Sequence, residues 1–182
     1  MHLPESPRLL FSEFTPDDFP EVAPLLMEDE VMQKFHPRIA EELIRRWLAR
    51  RMDEYRMLGH SHWHVSLKDT GEFVGIIGIV PTKVEDAEYI GLGYHIKKEF
   101  RRRGYAFEGS LACIEWAFRE LHADKIVAEI DEDNPPSRCL AEKLGMDFEK
   151  TYPRFNGEDY VPHCLYSISA DKFYIQSRRE SY

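Results

Sequence analysis

The chain has 182 residues and a mass of 21.5 kDa, and its 43% of hydrophobic residues suffice for one globular domain with a sizeable core. Lys and Arg number 24 against 33 Asp and Glu, and the net charge of −9 argues against a general binder of nucleic acid or anionic membranes. No apolar run approaches the roughly 20 residues of a membrane span, and three widely spaced Cys indicate neither a disulfide framework nor a zinc site. We therefore predict a cytoplasmic protein with no membrane or nucleic-acid partner.

The first predicted elements are a strand over residues 8–14 and two helices. Thr15 is a predicted N-cap because a Pro and two Asp follow it, and the first helix runs from there toward Met27. The second helix runs from about Ile39 to Leu58, since apolar residues recur at helical spacing before Gly59, a residue typical of helix ends.

The middle of the chain has the periodicity of strands. Trp63 to Leu67 alternates apolar and polar residues, Phe73 to Val80 is almost entirely apolar, and Ala87 to Ile96 is extended again. From Gly104 apolar residues recur every three or four positions as far as Leu121, which is a helical period. Three strands followed by a long helix are therefore predicted.

The last part of the chain is predicted to hold three strands and one more helix. A buried strand covers 125–130, a helix covers 135–144, and two strands cover 147–155 and 160–168. Asn156-Gly157 lies between the last two strands and is a strong signal for a hairpin turn.

This order of elements predicts an α/β (α+β) fold. Strand–helix–strand units joined to antiparallel hairpins indicate a mixed sheet with helices on both faces. Because we find no linker or repeat, residues 1–182 are predicted to form a single domain with its core at about 8–168. The tail, 169–182, is predicted to be a helical extension or a contact between two copies of the chain in a homodimer.

The loop before the long helix reverses the charge of the chain locally. Five cations lie within seven residues: Lys97, Lys98, Arg101, Arg102 and Arg103. A helix start presents unpaired backbone N–H groups and a partial positive charge. This strand-to-helix junction therefore predicts an anion site, with a solvated basic turn as the alternative.

Two glycines lie in the strand before this loop. Gly91 and Gly93 weaken strand pairing and pack nothing, which indicates a bulge or a closely approaching ligand. The alternative is a glycine that only relieves crowding, but two of them directly before an anion site favour a ligand.

The motif Arg101-x-x-Gly104-x-Ala106 resembles the Gln/Arg-x-x-Gly-x-Gly/Ala signature of the GNAT superfamily of acetyl-CoA-dependent N-acyltransferases. Further segments resemble its branch of Rim-type ribosomal-protein N-terminal acetyltransferases: Gly93-Tyr94-His95-Ile96, Glu108, Asn134-x-x-Ser137 and Glu142 to Met146. The resemblance implies a mostly antiparallel central sheet of six to seven strands with helices on both faces. It also implies an enzyme with acetyl-CoA as co-substrate.

The resemblance assigns residues to the cofactor. The amides of Arg101 to Ala106 would hold the CoA pyrophosphate, the strand around Tyr94 to Ile96 would pair with the pantetheine arm, and Asn134 would reach that arm from the neighbouring strand. The implied cofactor residues are Tyr94, His95, Ile96, Arg101, Arg102, Arg103, Gly104, Tyr105, Ala106, Asn134 and Ser137. Three cations are candidates for the nucleotide phosphates or are solvated surface charges: Lys98, Arg138 and Lys143.

For catalysis, the resemblance implies direct attack by the amine in a ternary complex. A strand amide near Tyr94 to Ile96 would stabilise the developing oxyanion. The predicted general base is Glu88. Since the family commonly has its strand carboxylate at the position of Gly91, three alternatives remain: His95, Glu132 and Asp159.

The resemblance also suggests how the leaving thiolate is handled. Many family members have a tyrosine acid where this chain has Ala141, so the Ser137 hydroxyl is predicted to lie near the thioester sulfur. A helix-start serine that only binds backbone amides is the alternative. Cys139 is predicted to pack a helix rather than act as a nucleophile, since no His partner is identifiable.

The run from His60 to His64 has histidines at alternate positions, a spacing found among metal ligands. No carboxylate or Cys converges on it in the sequence, so no metal is predicted. His62 and His64 are alternatively predicted to line the acceptor pocket.

The leading functional prediction is an N-acetyltransferase that moves an acetyl group from acetyl-CoA to a primary amine, either a protein N-terminus or a small molecule. A non-catalytic module that binds or senses acyl-CoA is one alternative. A nucleic-acid adaptor that uses the basic loop is another. No motif in the sequence specifies the acceptor.

Overall fold

The computed structural model of the chain describes residues 2–28, 36–155 and 159–179. Its strands are β1 (Leu9–Ser12), β2 (His62–Leu67), β3 (Phe73–Val84), β4 (Ala87–Ile96), β5 (Lys125–Asp131), β6 (Asp147–Phe155) and β7 (Tyr160–Ser169). Its α-helices over these ranges are α1 (Phe19–Leu26), α2 (Pro37–Leu58), α3 (Tyr105–Glu120), α4 (Pro135–Lys143) and α5 (Ala170–Arg179). The described helices include none that is long and apolar enough to cross a membrane.

The seven strands form one sheet in the order β1-β2-β3-β4-β5-β7-β6. All neighbours pair antiparallel except β4 and β5, which run parallel and pair only at Ile90–Ile126 and Gly91–Val127. Beyond these two pairs the strands separate, and β4 continues to Ile96. The prediction of a mixed, mostly antiparallel sheet of six to seven strands is confirmed.

Helices cover both faces of the sheet, as predicted. Trp63 of β2 packs edge-on against Trp116 of α3, with ring centroids 5.0 Å apart. Its neighbour His62 lies 6.0 Å from the ring of Trp47 in α2. Since adjacent strand residues face opposite sides of a sheet, one face is covered by α3 and the other by α2. We call them the α3 face and the α2 face.

Strand β3 is longer than the predicted strand because it continues past Pro81. The N–H of Lys97 donates to the carbonyl of Val74 at 3.0 Å, and the alternation of an antiparallel ladder then directs the nitrogen at position 81 away from β4. On that side β2 pairs only as far as His62–Gly78. The missing N–H of proline therefore removes no hydrogen bond from the sheet.

The C-terminal elements match the predicted hairpin and one of the two predictions for the tail. β6 and β7 pair antiparallel up to Phe155–Tyr160, while the predicted turn at Asn156-Gly157 lies outside the described residues. The tail forms α5, whose Phe173 is buried against Phe118 of α3. This helix extends the layer on the α3 face.

Candidate functional site

A cavity of about 890 Å³ opens where β4 separates from β5, beside the start of α3. Its walls come from the end of β4, the loop before α3, the first turn of α3 and one side of α4. All predicted cofactor residues line it except Arg103. The cavity walls also include Phe100, Phe107, Pro136, Cys139, Leu140 and Lys143.

The backbone of β4 presents hydrogen-bonding groups to this cavity. The same alternation that directs Lys97 toward β3 directs the N–H and C=O groups of Leu92, Tyr94 and Ile96 into the gap. The carbonyl of Ile96 accepts a hydrogen bond from Arg101 Nε at 2.8 Å. The N–H of Leu92 closes the last pair with β5 by donating to the carbonyl of Val127, so the C=O of Leu92 and both groups of Tyr94 remain available for a ligand that lies along the strand.

The loop before α3 is shaped by two residues in the left-handed region. Arg102 has φ 61° and Gly104 has φ 85°, and Gly104 caps α3 without any side-chain hydrogen bond. The first backbone N–H groups of a helix have no partner within the helix. Those of α3 therefore lie at the wall of the cavity without a side-chain partner, in the arrangement that favours an anion.

Carboxylates compensate part of the positive charge of the loop. Glu28 lies 3.0 Å from Arg101 Nη2 and 3.8 Å from Lys98 Nζ, and Glu99 lies 2.8 Å from Lys97 Nζ. Within the described part of the chain, no carboxylate forms an ion pair with Arg102. Arg103 has no such ion pair with the described residues either, but only Arg102 of these two lines the cavity, so its side chain is available to an anion there.

The other predicted cations differ in position. Lys143 lines the cavity, and its Nζ lies 4.6 Å from the ring centroid of Phe107. Arg103 lies over the ring of Phe100, and Arg138 bonds the hydroxyl of Tyr166 at 3.3 Å. The candidates for the nucleotide phosphates were Lys98, Arg138 and Lys143, and only Lys143 lines the cavity.

Tyr94 and Ser137 meet across the cavity. The Tyr94 hydroxyl donates to the carbonyl of Ser137 at 3.3 Å, and burial raises the pKa of this tyrosine. Asn134 is the N-cap of α4, since its Oδ1 accepts the N–H of Ser137 at 3.2 Å. Because Asn134 takes the capping role, the Ser137 hydroxyl is left for another partner.

Of the two features that Gly91 and Gly93 indicated, a bulge or a closely approaching ligand, the structure contains no bulge at either glycine. The register between β3 and β4 is continuous through both positions. A Cβ at Gly91 would overlap the Thr82 side chain, and one at Gly93 would overlap Nε2 of His62. Crowding from side chains on the α2 face explains both glycines, which is the alternative that the sequence analysis placed second.

The three histidines of the 60–64 run point to separate partners. Nδ1 of His60 lies 2.7 Å from the carbonyl of Ile79, and Nδ1 of His62 lies 3.1 Å from Nη1 of Arg51. Nε2 of His64 lies 3.0 Å from Glu21.

A carboxylate pair near His64 was not visible in the sequence. Ligand atoms of Asp18, Glu21 and His64 lie within 4.8 Å of one another. Asp18 already accepts the N–H and O–H of Thr15, at 2.6 and 3.0 Å, which accounts for its position at the start of the first helical turn.

Glu88 is not brought to the cavity. It is exposed, lies opposite Lys83, and precedes Tyr94 by six residues of extended chain, or roughly 20 Å. Among the alternatives, His95 lines the cavity, whereas Glu132 and Asp159 are exposed and do not.

Glu129 is a carboxylate beside the gap that the sequence analysis did not name. Gly91 and Val127 are the last paired residues, so Gly93 and Glu129, two positions further on, face the same side across the opening. Glu129 accepts a hydrogen bond from the hydroxyl of Tyr152. Burial and this carboxylate raise the pKa of Tyr152. In the sequence, the only indication of this role is an acidic residue between the apolar residues Ala128 and Ile130 of a buried strand.

Comparisons with known proteins give a consistent result. The profile of the family described as Acetyltransferase (GNAT) domain matches residues 8–147. YkkB of Bacillus subtilis (strain 168), described as an uncharacterized protein, is 33% identical over 132 residues, which are 72% of this chain and 77% of YkkB.

Two solved structures show the same fold. A GNAT-family acetyltransferase from Bacillus anthracis matches with a TM-score of 0.73 and 23% identity, over 92% of this chain and 98% of that one. RimL, a ribosomal L7/L12 α-N-protein acetyltransferase in complex with coenzyme A, matches with a TM-score of 0.74 and 15% identity, over 93% of this chain and 98% of RimL.

Proposed function

This chain belongs to the GNAT family of acetyl-CoA-dependent N-acetyltransferases, and from that premise we propose that acetyl-CoA lies in the gap between β4 and β5 while the acceptor amine approaches from the α2 face. The observation that carries the proposal is the strand separation directly beside the start of α3, where no side chain bonds the first backbone N–H groups. It combines open strand edges for an extended amide-bearing arm with an anion site for phosphates.

The residues at the cavity fit this cofactor. The volume of about 890 Å³ is within the range of sites for molecules of this size. Backbone groups at Leu92 and Tyr94 suit the pantetheine amides, and the amides of Arg101 to Ala106 suit the pyrophosphate. Arg102 and Lys143 add positive charge where the phosphates would lie.

The chemistry that acetyl-CoA supplies is an acyl group activated as a thioester. The backbone N–H of Tyr94, which faces the gap beyond the last pair with β5, donates to the carbonyl oxygen as negative charge develops on it. The Ser137 hydroxyl, which does not cap α4, donates toward the sulfur as it leaves. Helix α4 lies beside α3, since its Lys143 contacts Phe107, and both helices cover the α3 face of the sheet at the gap. The amine therefore attacks from the α2 face.

For the general base, the geometry favours Glu129 over the sequence prediction of Glu88. Glu129 faces the α2 side of the opening, whereas Glu88 lies near the far end of β4. A half-buried carboxylate at this place accepts a proton from the ammonium form of the acceptor and leaves the neutral amine that attack requires.

The test compares Glu129→Gln with Glu88→Gln and Ser137→Ala, using steady-state acetyl transfer to a panel of primary amines. We expect Glu129→Gln to lower kcat by about 10²-fold or more and Glu88→Gln to leave it within about twofold. Calorimetry should give all three variants the wild-type affinity for acetyl-CoA. Loss of activity in Glu88→Gln with Glu129→Gln intact would instead support the sequence prediction. A folded wild type that does not bind acetyl-CoA would overturn the proposed site.

A further inference from the structure

His62, Gly78 and Gly93 lie opposite one another across β2, β3 and β4 on the α2 face. The absence of side chains at the two glycines lets the imidazole of His62 extend over β3 as far as β4. Its Nε2 occupies the place that a Cβ of Gly93 would fill. Since Gly93 is two residues past the last pair with β5, Nε2 lies beside the part of β4 that borders the gap.

The partner of the other ring nitrogen fixes the tautomer of His62. Nη1 of Arg51 lies 3.1 Å from Nδ1. A guanidinium only donates hydrogen bonds, so Nδ1 accepts and the proton of the neutral ring is on Nε2. Burial and the charge of Arg51 lower the pKa of His62 to about 3, which keeps the ring neutral at pH 7.

Arg51 is itself held in place by a buried carboxylate. Its Nη2 lies 2.8 Å from Oε1 of Glu54, whose Oε2 accepts the hydroxyl of Ser61 at 2.5 Å. The side chains of Arg51 and Glu54 are only 7% and 12% exposed. A connected chain from Ser61 through Glu54 and Arg51 thus ends in one N–H donor, on the half-buried imidazole of His62.

We propose that His62 donates its Nε2–H to the carbonyl or carboxylate oxygen on the carbon that follows the amine-bearing α-carbon of the acceptor, so that the enzyme selects α-amino acyl groups. This inference rests on the proposed function. Glu129 on the other side of the opening accepts from the amine, and His62 donates to the neighbouring carbonyl or carboxylate oxygen. A polyamine carries only N–H donors and positive charge, which would meet a donor and the charge of Arg51.

The first experiment measures kcat/KM for four acceptors at saturating acetyl-CoA. Alaninamide and alanine carry the oxygen as an amide carbonyl and as a free carboxylate, isopropylamine lacks it, and spermidine represents polyamines. We expect at least one of the first two to exceed isopropylamine and spermidine by about tenfold or more. Whichever of the two is preferred distinguishes a peptide-like acceptor from a free amino acid. A preference for spermidine or isopropylamine would overturn the proposal.

Variants of His62 assign that preference to its N–H group. His62→Phe keeps a ring of similar size without the donor and is expected to lose the preference over isopropylamine. His62→Gln keeps an N–H and is expected to retain part of it. An unchanged preference in His62→Phe would refute the role of His62, provided that its affinity for acetyl-CoA and its melting temperature match those of the wild type.

Arg51 is proposed as a positioning residue, and Arg50 offers a matched control. Both arginines bond Glu54, but Arg50 is exposed and does not contact His62. Arg51→Met is expected to reduce the preference for the α-amino acyl acceptor, and Arg50→Met to leave it unchanged. Equal effects in the two variants would contradict a role through His62.

The tautomer can be observed without turnover. In ¹⁵N-histidine-labelled protein, the one-bond and long-range ¹H–¹⁵N correlations of His62, assigned by their absence in His62→Gln, should show a neutral ring protonated at Nε2 at pH 7. A charged ring or an Nδ1–H tautomer would overturn the proposal. Failure of the proposed function appears differently, as absence of transfer to every amine while the tautomer is as expected.

Discussion

Gly104 has a φ of 85° at the start of α3, in a conformation that side chains disfavour. Alanine here is expected to cost about 1–2 kcal/mol, and its Cβ would lie 3.3 Å from Nη2 of Arg8. Relief of this strain would turn the loop amides away from the cavity. We therefore expect Gly104→Ala to weaken acetyl-CoA binding about tenfold, measured by calorimetry.

Gly71 provides the control for this substitution. It has a φ of 75° in the turn between β2 and β3, and an added Cβ would meet nothing within 4 Å. Gly71→Ala should therefore cost similar stability and leave the affinity for acetyl-CoA unchanged. A loss of affinity in both variants would mean that backbone strain anywhere in the chain is sufficient, contrary to a local role of Gly104.

At the scale of elements, Glu108 ties the N-terminal segment to α3. Burial alone would raise the pKa of this carboxyl, but hydrogen bonds from Ser6 and Arg8 outweigh it and hold the pKa below its ordinary value of 4.5. A lowered pKa contributes stability that is fully present above 4.5 and is lost as pH falls through the folded-state value. We expect Glu108→Gln to lower Tm by about 5 °C at pH 7.

The pH dependence of Tm tests this contribution. The difference between wild type and Glu108→Gln should shrink progressively below pH 4.5, since the wild-type carboxyl is then protonated as well. Glu115→Gln removes the same charge from an exposed position of α3 and should change Tm by little at any pH. A difference that stays constant down to pH 3 would show that the charge of Glu108 is irrelevant.

Phe173 is the buried aromatic residue by which helix α5 packs on the α3 face. Phe173 is 5% exposed, and its ring centroid lies 5.4 Å from that of Phe118. Phe173→Ala is expected to lower the free energy of unfolding by about 3–5 kcal/mol, measured by urea denaturation. Ile175 on the same helix is 54% exposed, so Ile175→Ala should cost under about 1 kcal/mol. Similar costs for the two would contradict the packing of α5.

At the scale of the whole molecule, the charge distribution predicts which polyanions bind. The chain carries −9 overall, and Lys97, Lys98 and Arg101 are paired with carboxylates. We expect no binding of single-stranded RNA tighter than about 100 μM at physiological salt, measured by fluorescence anisotropy. Tighter, salt-sensitive binding that acetyl-CoA does not compete away would support the nucleic-acid adaptor.

The sequence predicts the helices and strands, whereas it does not contain the contacts between distant residues around the cavity. The periodicity of α3 and the basic loop at its start depend on neighbouring residues, so a local pattern contains them. The meeting of His62, Gly93 and Glu129 depends on the register of four strands and on where β4 leaves β5. Crowding at Gly93 comes from a side chain that is 31 positions earlier in the chain. No local pattern encodes such contacts.

Only two residue pairs connect β4 to β5, so the sheet consists of a four-stranded part, β1 to β4, and a three-stranded part, β5 to β7, that are weakly joined. This junction has the fewest paired residues of any two neighbouring strands in the sheet. A ligand that hydrogen-bonds to both strands would add backbone bonding between the two parts. Binding should therefore stiffen the molecule: amide hydrogen exchange at Tyr94 should slow when CoA is added, while that of the β2–β3 ladder stays unchanged.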